Sequence, residues 1–119
     1  MLTSLNNSSD ICNIMQVKTK TKAMINFQKS YIYKLVNSAD DQIFISGGTA
    51  PTKIRIFQHK QKAKNIKYAT SNPYKHLNTI GWNNVTIIVI EKFPCNSKME
   101  LLDRIQYWVL KLHPKLNIK

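Results

Sequence analysis

The residues best suited to chemistry lie between positions 53 and 67, where basic side chains are concentrated. Arg55 and His59 are four residues apart, so both project from one face of a helix. By default such a face is simply solvated, but this local density of positive charge favours contact with phosphate groups. Few aromatic side chains lie nearby, which favours the backbone of duplex DNA over stacking with single strands. The predicted nucleic-acid-binding lysines are Lys53, Lys60, Lys62, Lys64 and Lys67.

The composition of the chain agrees with a polyanionic partner. Its 119 residues are enough for one domain with a modest core. The 18 Lys and Arg residues against 6 Asp and Glu residues give a formal net charge of +12. An excess of this size predicts attraction to nucleic acid ahead of an acidic membrane surface.

The cysteines and histidines form no recognisable site in the sequence. Cys12 and Cys95 fit neither a disulfide framework nor a zinc motif, and the histidines are too scattered for a ligand cluster. We see no secretion signal and no apolar stretch that is long enough to span a membrane. We therefore expect an intracellular protein, in the cytoplasm or the nucleus, with free thiols.

The first predicted elements are a β-hairpin and a helix. Residues 31–36 and 42–46 are rich in β-branched and aromatic side chains, and the polar residues 37–41 between them are typical of a turn. Two glycines and a proline then end the second strand. A helix is expected from Thr52 as its N-cap, with Ile54 and Phe57 on its apolar side.

A second helix and a third strand follow. Asn72 as N-cap and Pro73 at the first helical position predict a helix that packs through Tyr74, Leu77 and Ile80 and stops at Gly81. Residues 85–90 are β-branched almost throughout, which predicts a central strand that is buried on both faces.

A capping box at Ser97 and Glu100 predicts a last helix from Lys98 to about Leu112. Pro114 then prevents continuation and pushes His113 towards an extended conformation. This order of elements predicts an α+β domain over residues 30–119, with a small three-stranded antiparallel β-sheet flanked by helices. Residues 1–29 are predicted to be a flexible basic N-terminal arm.

Spaced features between residues 31 and 117 resemble the GIY-YIG nuclease domain. Tyr33 aligns with the tyrosine that closes the first motif, although Tyr31 replaces the glycine that opens it. Arg55 and His59 reproduce the Arg-x-x-x-His helix of the family. The other matching segments are Phe44-Ile45-Ser46 in place of Tyr-Ile-Gly, Gly81-Trp82-Asn83-Asn84-Val85, Phe93-Pro94-Cys95, Leu101-Leu102, Tyr107-Trp108 and His113-Pro114-Lys115-Leu116-Asn117.

The resemblance implies a homologue of DNA endonucleases that hydrolyse phosphodiester bonds with a divalent cation, Mg²⁺ or Mn²⁺. In that family, the tyrosine that aligns with Tyr33 is one of the residues that orient and deprotonate the attacking water. Arg55 would contact the scissile phosphate, and His59 would assist proton transfer or hold the phosphate. On the sequence alone, packing in a strand is the favoured explanation of Tyr33, and the resemblance puts a role in the site level with it.

Besides Tyr31, three positions depart from the family pattern. Phe44 keeps the ring of the second tyrosine but lacks its hydroxyl, and Ser46 replaces a glycine. Ile105 stands where the family has the glutamate that holds the cation, a task that requires oxygen ligands. No other acid of the same helix shares its face, and the direction of Glu91 is open on sequence alone. We therefore expect cation binding to be doubtful and cleavage to be strongly reduced or absent.

Three functions stay open at this point. The first is an impaired GIY-YIG-type endonuclease, and the second is a non-catalytic DNA-binding module on the same fold. In the third, the basic patch binds RNA or an acidic protein. Divalent-dependent nicking would favour the enzyme, and salt-dependent duplex binding that survives EDTA would favour the module. The sequence gives no indication of the oligomeric state.

Overall fold

A β-sheet of three antiparallel strands organises residues 25–118, the part of the chain that the computed structural model describes. In the sheet order β2-β1-β3, the strands are β1 (Tyr31–Asn37), β2 (Phe44–Gly48) and β3 (Val85–Lys92). The helices are α1 (Thr52–Ala63), α2 (Ile66–Ala69), α3 (Tyr74–Ile80) and α4 (Lys98–Leu112). The predicted α+β class and the three-stranded antiparallel sheet are confirmed. Of the predicted arm, residues 1–24 lie outside the described residues.

Alternation along β1 gives the sheet two apolar faces. Tyr31, Tyr33 and Leu35 point to one face, called face A, which α1 and α3 cover through Ile56 and Leu77. The opposite face, called face B, is covered by α4. Its core consists of Ile32, Ile45, Cys95 and Leu101, with Ile105, Trp108 and Val109 packed against them.

Local side-chain bonds shape the hairpin turn as the sequence predicted. Asn37 Oδ1 accepts from the backbone N–H groups of Ala39 and Asp40, both at 2.8 Å, and Asp40 Oδ1 accepts from the N–H of Gln42 at 3.0 Å. These bonds satisfy backbone donors in the turn that have no strand partner.

The capping box of α4 is also confirmed. Ser97 Oγ accepts from the N–H of Glu100 at 3.2 Å, and Glu100 Oε1 accepts from the N–H of Asn96 at 2.9 Å. The helix has the predicted bounds, Lys98–Leu112. Within residues 25–118, no helix has the length and apolarity needed to cross a membrane.

β3 is an edge strand, so the prediction that it lies at the centre of the sheet was wrong. β1 pairs with both other strands and takes the central place. Ile88 and Val89 of β3 are each 42% exposed. A run of β-branched residues predicts that an apolar strand forms. It does not predict the order of the strands, because that order depends on pairing between distant segments.

The inward side of α1 also differs from the prediction. Ile54 and Phe57 are 49% and 58% exposed, whereas Ile56 packs into the core and His59 and Ala63 are buried. Both sets have helical spacing, so spacing alone does not show which one faces the sheet. The N-cap of α1 is Pro51 rather than Thr52, which is the first residue of the helix.

The end of β2 and the start of α3 differ from the prediction. β2 continues through Gly48, because both of its glycines still pair with β1. α3 begins at Tyr74 with Pro73 as its N-cap, since the side chain of Asn72 donates instead to the carbonyl of Ile118 at 3.0 Å.

His113 is not extended before Pro114, as the sequence analysis expected. It adopts the left-handed conformation, with φ 50° and ψ 53°, and its N–H donates to the carbonyl of Val109 at 2.9 Å. This bond closes the last turn of α4, and helix capping therefore prevails over the preference of a residue that precedes proline.

Candidate functional site

Tyr33, Arg55 and His59 converge on face A next to β2. Tyr33 is fully buried on β1, and His59 is 4% exposed on α1. The Tyr33 hydroxyl is hydrogen-bonded to Nε2 of His59, and the guanidinium carbon of Arg55 lies 5.6 Å from the centre of the Tyr33 ring. The structure thus brings together the three residues that the sequence analysis assigned to one site.

Tyr74 completes a hydrogen-bonded chain that the sequence analysis missed. Its hydroxyl lies 2.8 Å from Nδ1 of His59, so the imidazole bridges the phenols of Tyr33 and Tyr74. From the sequence, Tyr74 was expected only to pack on the inner face of α3. The sequence carries no signal for this contact, because it depends on how α1 and α3 cross over the sheet.

Burial controls the proton affinities within this Tyr33–His59–Tyr74 cluster. It lowers the pKa of His59 to about 4, and the positive charges of Arg55 and Lys62 act in the same direction. Burial also raises the pKa of Tyr33, and it raises the pKa of Tyr74 to about 12. At neutral pH the imidazole is therefore uncharged and both phenols keep their protons, so His59 lacks the near-neutral pKa that would suit it to the proton transfer implied by the resemblance.

The side chain of Arg55 lies against the backbone of β2. Nη2 donates to the carbonyl of Gly47 at 3.2 Å and Nη1 donates to Oε1 of Gln58 at 3.3 Å. A Cβ atom at Gly48 would lie 3.0 Å from Nε, so the glycine leaves room for the stem of Arg55. Nε is buried without a hydrogen-bond partner, and among residues 25–118 it is the only buried side-chain nitrogen or oxygen in that state.

Ile105 contacts the same segment of β2 from face B. A Cβ atom at Gly47 would lie only 2.9 Å from Cδ1 of Ile105 and 3.0 Å from Cδ1 of Leu101. Position 105 and Arg55 therefore meet the same residue, Gly47, from opposite sides of the sheet edge. The hydrocarbon of Ile105 packs here at the position where the family resemblance implies a carboxylate.

Glu91 does not replace the missing carboxylate. Arg104 donates to both of its oxygens, at 2.7 and 2.8 Å, and the indole N–H of Trp108 donates to Oε1 at 3.1 Å. These hydrogen bonds from Arg104 hold the pKa of Glu91 below its usual range. Residues 25–118 contain no group of three His, Cys, Asp or Glu side chains that could hold a metal ion. The side chains around position 105 therefore do not fit a divalent cation.

The other family-like positions around β2 have structural contacts. The ring of Phe44 stands edge-on to His59, with 6.1 Å between ring centres, and Ser46 lies opposite Tyr33 in the strand register. Asn117 Oδ1 accepts from the N–H of Ile45, and Asn117 Nδ2 donates to the carbonyl of Ile45, both at 2.8 Å. Asn117 thus pairs with the free edge of β2 as a further strand would.

The predicted lysines do not form a single patch. At 100° per residue, Lys53, Lys60 and Lys64 lie within about 40° of one another on the axis of α1. Lys62 lies about 180° from Lys53, on the side of Arg55. Three of the five predicted lysines thus face away from the Tyr33–His59–Tyr74 cluster.

A basic and aromatic cluster lies at the C-terminal end of α1. Lys62 Nζ is 4.6 Å from the ring centre of Tyr68 and 5.9 Å from that of Tyr74, and Lys67 Nζ is 5.6 Å from that of Tyr68. Tyr68 directly follows Lys67 in the sequence, so the expectation of few aromatic side chains near the lysines does not hold at this end. This cluster borders the side of α1 that carries Arg55.

Together, the fold and the site define a small α+β protein with a three-stranded antiparallel sheet, a buried Tyr–His–Tyr hydrogen-bonded chain and an adjoining arginine. Comparisons with protein-family models, with curated proteins and with solved structures find no match to the chain.

Proposed function

We propose that this protein is a homologue of the GIY-YIG endonucleases that binds a phosphate group of duplex DNA at Arg55 and is impaired in cleaving DNA. The observation that carries this proposal is the convergence of Tyr33, Arg55 and His59 beside β2. These residues come from two elements, and they are the same three that resemble the family motifs in the sequence.

The surroundings of Arg55 support phosphate binding. Its two hydrogen bonds, at 3.2 and 3.3 Å, are long for a guanidinium, and both go to uncharged oxygens. Neither ion pair found among residues 25–118 involves Arg55. A phosphate offers charged oxygens that a guanidinium binds more strongly, by two parallel hydrogen bonds. Lys62 and Lys67 extend the positive charge along the same side of the molecule.

Impaired cleavage is supported by the chemistry of the site. His59 is buried and uncharged at neutral pH, so it is not in the imidazolium form that a general acid needs to protonate a leaving group. Phe44 has no hydroxyl to orient water. Ile105 offers no oxygen, and Glu91 is held by Arg104 and Trp108.

The second candidate is a non-catalytic DNA-binding module on the same fold. The packing of Ile105 against Gly47 favours it, because this packing makes position 105 part of the core beneath α4. The two candidates share the binding surface and differ only in residual turnover. Mg²⁺ or Mn²⁺ would be needed for the first and not for the second.

Nicking and binding assays test the proposal together. Supercoiled plasmid is incubated with Mg²⁺ or Mn²⁺, and duplex binding is measured by fluorescence anisotropy with EDTA at several salt concentrations. We expect little or no nicking and salt-dependent binding that Arg55→Ala weakens for all sequences, with a salt slope lower by about 1. Lys98→Ala is the charge-matched control, since Lys98 lies on α4 beneath the opposite face. Absence of duplex binding at low salt would overturn the proposal.

Replacing Ile105 separates the two candidates. In Ile105→Glu a carboxylate would face Gly47, whereas Ile105→Gln gives the same size without charge. Cation-dependent nicking gained by the Glu variant and not by the Gln variant would indicate an endonuclease that one residue has disabled. No gain in either variant, with DNA binding retained, would indicate the non-catalytic module.

A further inference from the structure

A cavity of about 270 Å³ opens on face A beside β3, an edge strand of the sheet. Its walls are largely apolar and include Tyr31, Val89 and Pro94, and Lys29 and Lys92 also line it. The volume far exceeds the space of about 30 Å³ that one water molecule takes. It falls just below the range of about 300–1,000 Å³ for pockets that hold drug-sized ligands. The cavity therefore has room for one flat ring system.

One line of paired residues across the three strands joins this cavity to Arg55. Lys92 of β3 pairs with Tyr31 of β1, which pairs with Gly48 of β2, and the stem of Arg55 lies on Gly48. Adjacent strands are about 4.8 Å apart, so the backbones of Lys92 and Gly48 are about 10 Å apart. Tyr31 lies between the cavity and the start of α1, since it lines the cavity while its hydroxyl donates to the carbonyl of Ala50 at 2.5 Å.

We propose that the cavity receives one unpaired nucleobase of DNA, next to the phosphate that Arg55 holds. This inference rests on the proposed function. A nucleobase is flat and has apolar faces, which suits the walls formed by Tyr31, Val89 and Pro94. Lys29 and Lys92 are exposed and supply positive charge for the phosphates on either side of that base.

The geometry selects an unpaired base over a base in a duplex. A paired base is stacked above and below and bonded at its edge, so its faces are not available to a cavity in a protein. A base in an overhang or opposite a gap is free of part of these contacts and can enter at lower cost. The preferred ligand is therefore duplex DNA that carries an unpaired nucleotide.

Fluorescence anisotropy of two labelled DNAs tests the inference. One is a blunt duplex, and the other is the same duplex with a short single-stranded overhang. We expect the overhang to bind about tenfold more tightly, at the lower end of the range measured for stacking of a base on an aromatic side chain. Val89→Trp fills the cavity and should abolish this preference while leaving blunt-duplex binding unchanged.

Ile88→Trp provides the matched control. Ile88 and Val89 are neighbours on the same edge strand and are equally exposed, at 42%, but Ile88 pairs with Lys34 and points to face B. The control should keep the tenfold preference. Equal binding of both DNAs by the wild type, or an unchanged preference in Val89→Trp, would overturn the inference while duplex binding still supports the proposed function.

A titration with thymidine monophosphate, followed by NMR, examines the cavity without relying on duplex binding. We expect amide shifts at Tyr31 and Lys92 in the wild type and in Ile88→Trp, and none in Val89→Trp. If the protein binds neither DNA, the proposed function fails. If the amide shifts are absent in that case too, the cavity inference is overturned as well.

Discussion

Acid should destabilise this protein through His59 well before its carboxylates are protonated. The imidazole is enclosed by Tyr33 from β1, Tyr74 from α3, and the charged groups of Arg55 and Lys62 on its own helix. Burial and these two positive charges lower its pKa to about 4 in the folded protein, whereas histidine in an unfolded chain titrates near pH 6.5.

The size and the sign of this effect follow from proton linkage. Between pH 6.5 and 4 the unfolded chain binds a proton at His59 that the folded protein does not bind. The free energy of unfolding therefore falls as the pH is lowered through this window. A drop from pH 7 to pH 5 should remove about 2 kcal/mol, and the full difference in pKa corresponds to about 3 kcal/mol.

Urea unfolding followed by tryptophan fluorescence at pH 7, 6 and 5 measures the effect. His59→Gln should be less stable at pH 7, because the two phenols lose their shared partner, but its stability should be flat across this range. His76→Gln is the control and should not flatten the slope, since His76 is partly exposed and a positive charge on it would be stabilised by Asp40 at 2.8 Å. Equal wild-type stability at pH 7 and pH 5, or the same slope in His59→Gln, would refute the reasoning.

Three further substitutions test other parts of the site. Asn117→Ala should lower the free energy of unfolding by about 1–3 kcal/mol, measured with urea, because it removes the two 2.8 Å bonds to the free edge of β2. Gly47→Ala should lower the free energy of unfolding by about 1–3 kcal/mol through overpacking. Adding Ile105→Val should restore part of this loss, because the clashing Cδ1 atom is then absent. No recovery in the double variant would refute the assigned contact. Lys62→Ala should weaken duplex DNA binding in anisotropy more than Lys53→Ala does, and equal effects would contradict the separation of the two helix sides.

Local patterns in the sequence predicted the elements that are stabilised locally. The bounds of α4 followed from the Ser97 capping box, and the hairpin followed from the hydrogen-bonding capacity of Asn37 and Asp40. In each case the partners lie within a few residues of one another, so neighbouring letters of the sequence hold the necessary information.

Contacts between distant segments were beyond this kind of reasoning. The edge position of β3 and the inward side of α1 depend on which segments pair and pack in three dimensions. The depressed pKa of His59 has the same origin, because it is caused by burial under α3 rather than by the residues next to it in the chain. The resemblance supplied the grouping of Tyr33, Arg55 and His59, but it gave no indication of Tyr74.

The contacts of Gly47 explain how binding could persist when cleavage is lost. On the proposed function, the phosphate-binding half of the site is Arg55, which reaches the carbonyl of Gly47 on one side. The cation-binding half would be position 105, where Ile105 packs with Leu101 on the other side of Gly47. The partly buried isoleucine stabilises the packing of α4 on the sheet and leaves Arg55 in place, because the two side chains share only the β2 backbone between them. On the proposed function, a change from an acid to isoleucine at this position would therefore remove turnover while stabilising the sheet edge that carries Arg55.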